Sequence, residues 1–138
     1  MVPKEKIIAA RIGTQSDTYL MYAIRQKRLD ILLFLLREVP ELDLLTKNSQ
    51  GMTALHMAIR SNNQKMVKAL VLKDHKKEQE VEEVLKTFKI EDIKTNLTPK
   101  VIKMLQLQNS KGMTPLISSV DHGNYAIFRF IIELIVYI

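Results

Sequence analysis

The octapeptide Asn48-Ser49-Gln50-Gly51-Met52-Thr53-Ala54-Leu55 returns 61 residues later as Asn109-Ser110-Lys111-Gly112-Met113-Thr114-Pro115-Leu116, identical at six of eight positions. This repeat constrains the fold more than composition does, because a unit in a repeat array buries its apolar side against a neighbouring unit rather than within itself. A weaker copy lies 35 residues upstream of Thr53, where Thr18-Tyr19-Leu20-Met21-Tyr22-Ala23-Ile24 aligns with Thr53-Ala54-Leu55-His56-Met57-Ala58-Ile59. Each motif leads into two apolar stripes at helical spacing. In the first unit these are Leu20, Ala23 and Ile24, then Ile31, Leu32, Phe34, Leu35 and Leu36. In the second they are Leu55, Ala58 and Ile59, then Met66, Val67, Ala69, Leu70 and Val71. In the third they are Leu116 and Val120, then Ile127, Phe128, Ile131 and Ile132. The unit is helix, turn, helix.

Gly51-Met52-Thr53-Ala54-Leu55-His56-Met57-Ala58 resembles the ankyrin-repeat hallmark Gly-x-Thr-Pro-Leu-His-x-Ala, with only the proline replaced. The third unit departs at Ile117 and Ser119, and the first lacks a glycine before Thr18. The pattern has physical reasons: glycine permits positive φ in a tight turn, threonine caps the first helix, and proline suits its first turn. The resemblance implies an all-α, ankyrin-type helical solenoid of stacked helix-turn-helix units with short β-turn fingers. It also implies a structural imidazole at His56.

The expected organisation is a single domain: a capping helix at 1–13, repeats at 14–47 and 48–74, an irregular segment at 75–107, and an uncapped repeat at 108–138. Ile7, Ile8 and Ile12, between Pro3 and Gly13, are assigned to the capping helix. The irregular segment is read as a degenerate repeat that kept two helices and lost its finger, or as an insertion within the second unit. Val81, Val84, Leu85 and Phe88 define one amphipathic helix within 76–89, and Thr98 with Pro99 starts another carrying Val101, Ile102 and Leu105. The two readings differ in whether Val84 and Leu85 enter the main stack.

Composition narrows the function classes. A chain of 138 residues, 46% hydrophobic, buries enough surface for one core and is no disordered tail. The absence of cysteine excludes a disulfide scaffold, a thiolate metal site and a cysteine nucleophile, and points to an intracellular, cytoplasmic protein. The apolar run 126–138 is interrupted by Arg129 and Glu133 and is too short for a bilayer, and the first residues do not form a secretory signal. Asn96-Leu97-Thr98 is a chance sequon. His75 with Glu78 and Glu82 lies in a Lys/Glu-rich run expected to be a solvated helix face rather than a metal site. No phosphate-cradling glycine loop, nucleophile elbow or paired carboxylates occur, so no enzyme activity, cofactor or metal is expected. Eight aromatics, mostly at core spacing, argue against nucleic-acid binding.

The expected function is therefore protein–protein interaction. Carried over from the ankyrin pattern, the partner-binding positions are Arg25 and Gln26 in the first unit; Ser49, Gln50, Met52, Arg60 and Ser61 in the second; and Ser110, Lys111, Met113, Asp121 and His122 in the third. Net charge +6 and the equivalent placement of Arg25 and Arg60 favour an acidic or phosphorylated segment, against the alternative that both arginines are ordinary solvated residues. The final stretch, with Phe130, Leu134, Ile135, Tyr137 and Ile138, lacks a polar face. It is expected to be covered by a second copy of the chain or by further parts of a larger enzyme, channel or effector.

Overall fold

The computed structural model describes residues 3–39, 41–72 and 97–136. The helix expected within 76–89 lies outside the described residues. The helices are α1 (Lys4–Ala9), α2 (Tyr19–Arg25), α3 (Leu29–Glu38), α4 (Ala54–Arg60), α5 (Gln64–Leu72), α6 (Pro99–Gln106), α7 (Pro115–Asp121) and α8 (Tyr125–Ile135). No strand is present among the described residues beyond an isolated bridge between Ile12 and Asp17.

The inner helices α2, α4 and α7 each have seven residues, too few to persist alone in water, so packing must hold them. Threonine starts each one. The Thr18 hydroxyl accepts the Met21 N–H at 3.3 Å, Thr53 that of His56 at 3.3 Å, and Thr114 that of Ile117 at 3.4 Å. Each bond satisfies an otherwise orphaned helix donor. Thr98 caps α6 in the same way, with Pro99 in its first turn. In the inner layer α2 packs on α4 and α4 on α7, while outside α3 packs on α5 and α5 on α8. Leu20, Ile24, Leu32, Leu55, Ile59, Met66, Leu70, Ile127 and Ile131 belong to one continuous core.

The fingers before α4 and α7 are built alike. The Asn48 N–H donates to the Met52 carbonyl at 2.9 Å, and the Asn109 N–H to that of Met113 at 2.9 Å. Each asparagine side-chain oxygen also accepts two backbone N–H groups of its own finger. Gly51 and Gly112 take the left-handed conformation, φ 72° and 76°. The first finger reaches the same turn without glycine: Ser16 stands at the equivalent place with φ 58°. Ile12, expected on the capping helix, instead exchanges backbone hydrogen bonds with Asp17, because α1 ends at Ala9.

Neighbouring fingers are joined directly. The Ser49 N–H donates to the Gln15 carbonyl at 2.9 Å, and the Ser110 N–H to the Gln50 carbonyl at 3.2 Å. The second and third fingers are thus bonded to each other, with α4 packed on α7. Val84 and Leu85 lie outside the described residues. α6 buries Val101, Met104 and Leu105 and packs on α7.

His56 fastens the same seam. It is fully buried; its Nε2 lies 2.9 Å from the Met113 carbonyl of the next finger, and its Nδ1 lies 2.9 Å from the Thr53 hydroxyl. A neutral ring with the proton on Nε2 satisfies both contacts: Nε2–H donates to Met113, and Nδ1 accepts from Thr53. Burial holds the imidazole pKa below its ordinary 6.5, outweighing the Met113 hydrogen bond, and the charge of Lys47 adds to the depression.

At the far end the structure corrects the expected open apolar stripe. Phe130 and Leu134 are buried against the core, with the Lys68 ammonium of the preceding unit 5.8 Å from the Phe130 ring centre. Ile135 is half-buried, and Tyr137 and Ile138 lie outside the described residues. A helical stripe reveals that a face is apolar, not which neighbour covers it.

Two outcomes follow for stability. A Cβ on Gly51 would stand 2.6 Å from the Ser110 nitrogen, whereas one on Gly112 meets nothing within 4 Å. Gly112→Ala should cost about 1 kcal/mol for its left-handed backbone, and Gly51→Ala at least twice as much. Urea unfolding of both variants measures this, and equal losses would mean that the fingers do not touch. For His56, the native ring is neutral while the unfolded ring binds a proton near pH 6.5. Its contribution is therefore complete above that pH and declines as pH falls below it, by up to about 1.4 kcal/mol per unit until the lowered native pKa is reached. Unfolding free energies measured between pH 8 and about pH 5 should show this decline in the parent chain and lose it in His56→Ala. An identical decline in the variant would assign it to other groups.

Candidate functional site

The direct stacking of the second and third units opens a groove of about 260 Å³ between their fingers and inner helices. Its floor is the buried seam of His56 and Ser118, with Gln50 and Met52 on one wall and Asn109, Ser110, Lys111 and Met113 on the other; Arg60 and His122 stand at the helix ends. Each wall is rigid for a local reason. Backbone bonds and an asparagine side chain hold each finger, and a threonine cap fixes where each inner helix begins.

Of the sequence-derived contact positions, Gln50, Met52, Arg60, Ser110, Lys111, Met113 and His122 meet at this groove. Arg25, Gln26, Ser49, Ser61 and Asp121 do not line it. Ser49 is engaged elsewhere, its hydroxyl donating to the Gln15 carbonyl at 2.8 Å. His56, Asn109 and Ser118 line the groove without having been picked out as contact positions. Asn109 carries a legible signal, since it repeats Asn48. Ser118 carries none, because its place depends on which helix stacks behind it.

Met52, expected to be open to partners, is only 8% exposed. It lies beneath Arg60, whose guanidinium Nη1 donates to its sulfur at 3.5 Å. Met113 is half-buried. The corresponding pair in the first unit has different chemistry. Asp17 takes the place of Met52, and its carboxylate grips Arg25 through two hydrogen bonds, 2.6 and 3.1 Å, while also accepting from Asn48 Nδ2 at 3.0 Å. Asp17 is 2% exposed. Burial alone would raise its carboxyl pKa, but the hydrogen bonds from Arg25 and Asn48, with the guanidinium charge, hold it below 3.8. Arg25 is pushed further up by its hydrogen bond to Asp17. The two arginines occupy equivalent places, but an acidic residue within the fold engages the first of them.

The groove lining carries Arg60, Lys111 and His122 and no carboxylate. The Gln50 side-chain oxygen is buried without a hydrogen-bond partner. Such an orphaned acceptor is costly until a donor reaches it. Among the described residues no group of three or more His, Asp or Glu side chains is placed to hold a metal ion, and no helix is long and apolar enough to cross a membrane.

Comparison with known proteins places this architecture. No curated protein matches the chain. Among solved structures, it aligns with a chain in the complex of a predatory endopeptidase from Bdellovibrio bacteriovorus with an immunity protein, at 19% identity and a TM-score of 0.39, covering 91% of this chain and 84% of that one. The model of the ankyrin repeats, in three copies, matches residues 4–83, and the finger at Asn109–Met113 extends the same pattern beyond the matched region. With its capped helix pairs, glycine-turned fingers and seam histidine, the chain belongs to the ankyrin repeat family.

Proposed function

We propose that the chain is a non-enzymatic protein-interaction module whose partner presents an acidic segment to the groove between the second and third fingers. The observation that carries this reading is the lining itself: Arg60, Lys111 and His122 face a cleft without a carboxylate, so a ligand carboxylate meets no repulsion there. A repeat stack with rigid walls binds by shape, since the surface is formed before the ligand arrives. Arg25 is assigned a structural role in this reading, because Asp17 holds its charge.

An Asp/Glu-rich peptide and a Lys-rich peptide of equal length are suitable probes, with binding followed by amide shifts of the isotope-labelled chain. The acidic peptide should perturb Gln50, Arg60, Ser110 and Lys111, and its affinity should weaken as salt rises. Arg60→Glu with Lys111→Glu should reduce affinity at least tenfold, about 1.4 kcal/mol, while leaving unfolding nearly unchanged. Equal binding of both peptides, or no effect of the double reversal, would remove the reading.

A further inference from the structure

The inner seam identifies which positions of a unit face forward and which face back. In α4, His56 and Ile59 look forward to the third unit and are 0% exposed, while Ala54 and Met57 look back to the first and are also buried. In the outer layer Val67 and Val71 share the forward side, whereas Met66 and Ala69 share the backward side, as do Ile127 and Phe130 in the third unit, where the Lys68–Phe130 contact fixes the direction. The same register transferred to the ends of the stack marks two faces that no other helix pair among the described residues covers, with only the Arg37 guanidinium 5.7 Å from the Phe34 ring centre. The forward positions of the third unit are Ile117 and Val120, 47% and 66% exposed, beside half-buried Phe128 and Ile132. The backward positions of the first unit are Tyr19 and Tyr22, both 41% exposed, with Ile31 at 40% and Phe34 at 53%. The helix α1 leaves these four exposed and is half-buried only along Ile7 and Ile8.

We propose that these two faces bind each other, so that the third unit of one chain stacks on the first unit of a second copy and continues the solenoid. The argument is continuity with an interface already formed twice in this chain. The forward face of one unit and the backward face of the next are the two halves of every internal seam, and the exposed pair occupies those same positions. All eight side chains are apolar or aromatic, so joining the faces withdraws from water the kind of surface that the internal seams withdraw. Because the faces differ, the contact is heterologous. Growth is open-ended unless the arrangement closes into a ring. This surface is separate from the expected self-association through Phe130 and Leu134, which the internal core occupies. It is also separate from the groove at Arg60.

Light scattering across a concentration series, with sedimentation velocity, tests the proposal. The parent chain should show a mass that rises with concentration past two copies. Val120→Glu, on the forward face, and Phe34→Glu, on the backward face, should each remain single chains at every concentration. Circular dichroism should show both variants folded, since both side chains are mostly exposed; Val120→Ser and Phe34→Ser serve where the charged variants do not fold. Mixing the two variants leaves one intact face of each kind, and the mixture should reach two copies and stop. A parent chain that stays single at all concentrations would overturn the proposal. So would a dimer that survives Phe34→Glu, or a mixture that does not recover association, since either indicates a symmetric contact or none.

Discussion

Everything in this molecule rests on the seam between successive units, where an inner helix too short to stand alone meets the next unit's inner helix and finger. At the seam between the second and third units, one buried imidazole and one inter-finger hydrogen bond set the register. The apolar side chains around them supply the bulk of the stabilisation, because burial of such surface is the main favourable contribution to folding. The polar groups contribute accuracy. A finger displaced by one residue would leave the buried His56 Nε2–H without its acceptor, a penalty that selects the observed alignment.

The same seam makes the groove. Its walls are two fingers held at a fixed separation, and its floor is the pair of inner helices they introduce. Function in this reading is a by-product of periodicity: the stack repeats its backbone while the side chains at equivalent positions change. The pairs Asp17–Arg25, Met52–Arg60 and Met113–Asp121 occupy one register. In the first the charge is neutralised within the fold, and in the second the cation lies over a sulfur and borders the cleft. The third places an acid at the corresponding helix end, outside the groove lining. The electrostatic character of each junction is set by these substitutions, while the backbone beneath them stays alike.

Much of this was legible in the residues. The repeated octapeptide located two fingers, the threonines located three helix starts, and Thr98-Pro99 located a fourth. What escaped reading depended on partners distant in sequence. Ser16 replaces glycine in a left-handed turn, which no local pattern announces. Ile12 looked helical by spacing but pairs with Asp17. Phe130 and Leu134 looked like an unfinished edge, although their register makes them the backward face of the last helix. The forward residues of that unit, Ile117 and Val120, are exposed, and only the seam that precedes them in the chain reveals this direction. For residues 75–107 the sequence left two alternatives open, because apolar periodicity reports helices and not their layer.

Contact between the second and third fingers is most directly tested by a nuclear Overhauser measurement between a Gly51 α-proton and the Ser110 amide proton, groups 59 residues apart in the chain. The position of a Cβ on Gly51, 2.6 Å from the Ser110 nitrogen, predicts a strong cross-peak together with slowed exchange of the Ser110 amide. A missing cross-peak, with that amide exchanging at the rate of an open chain, would contradict direct stacking and with it the groove.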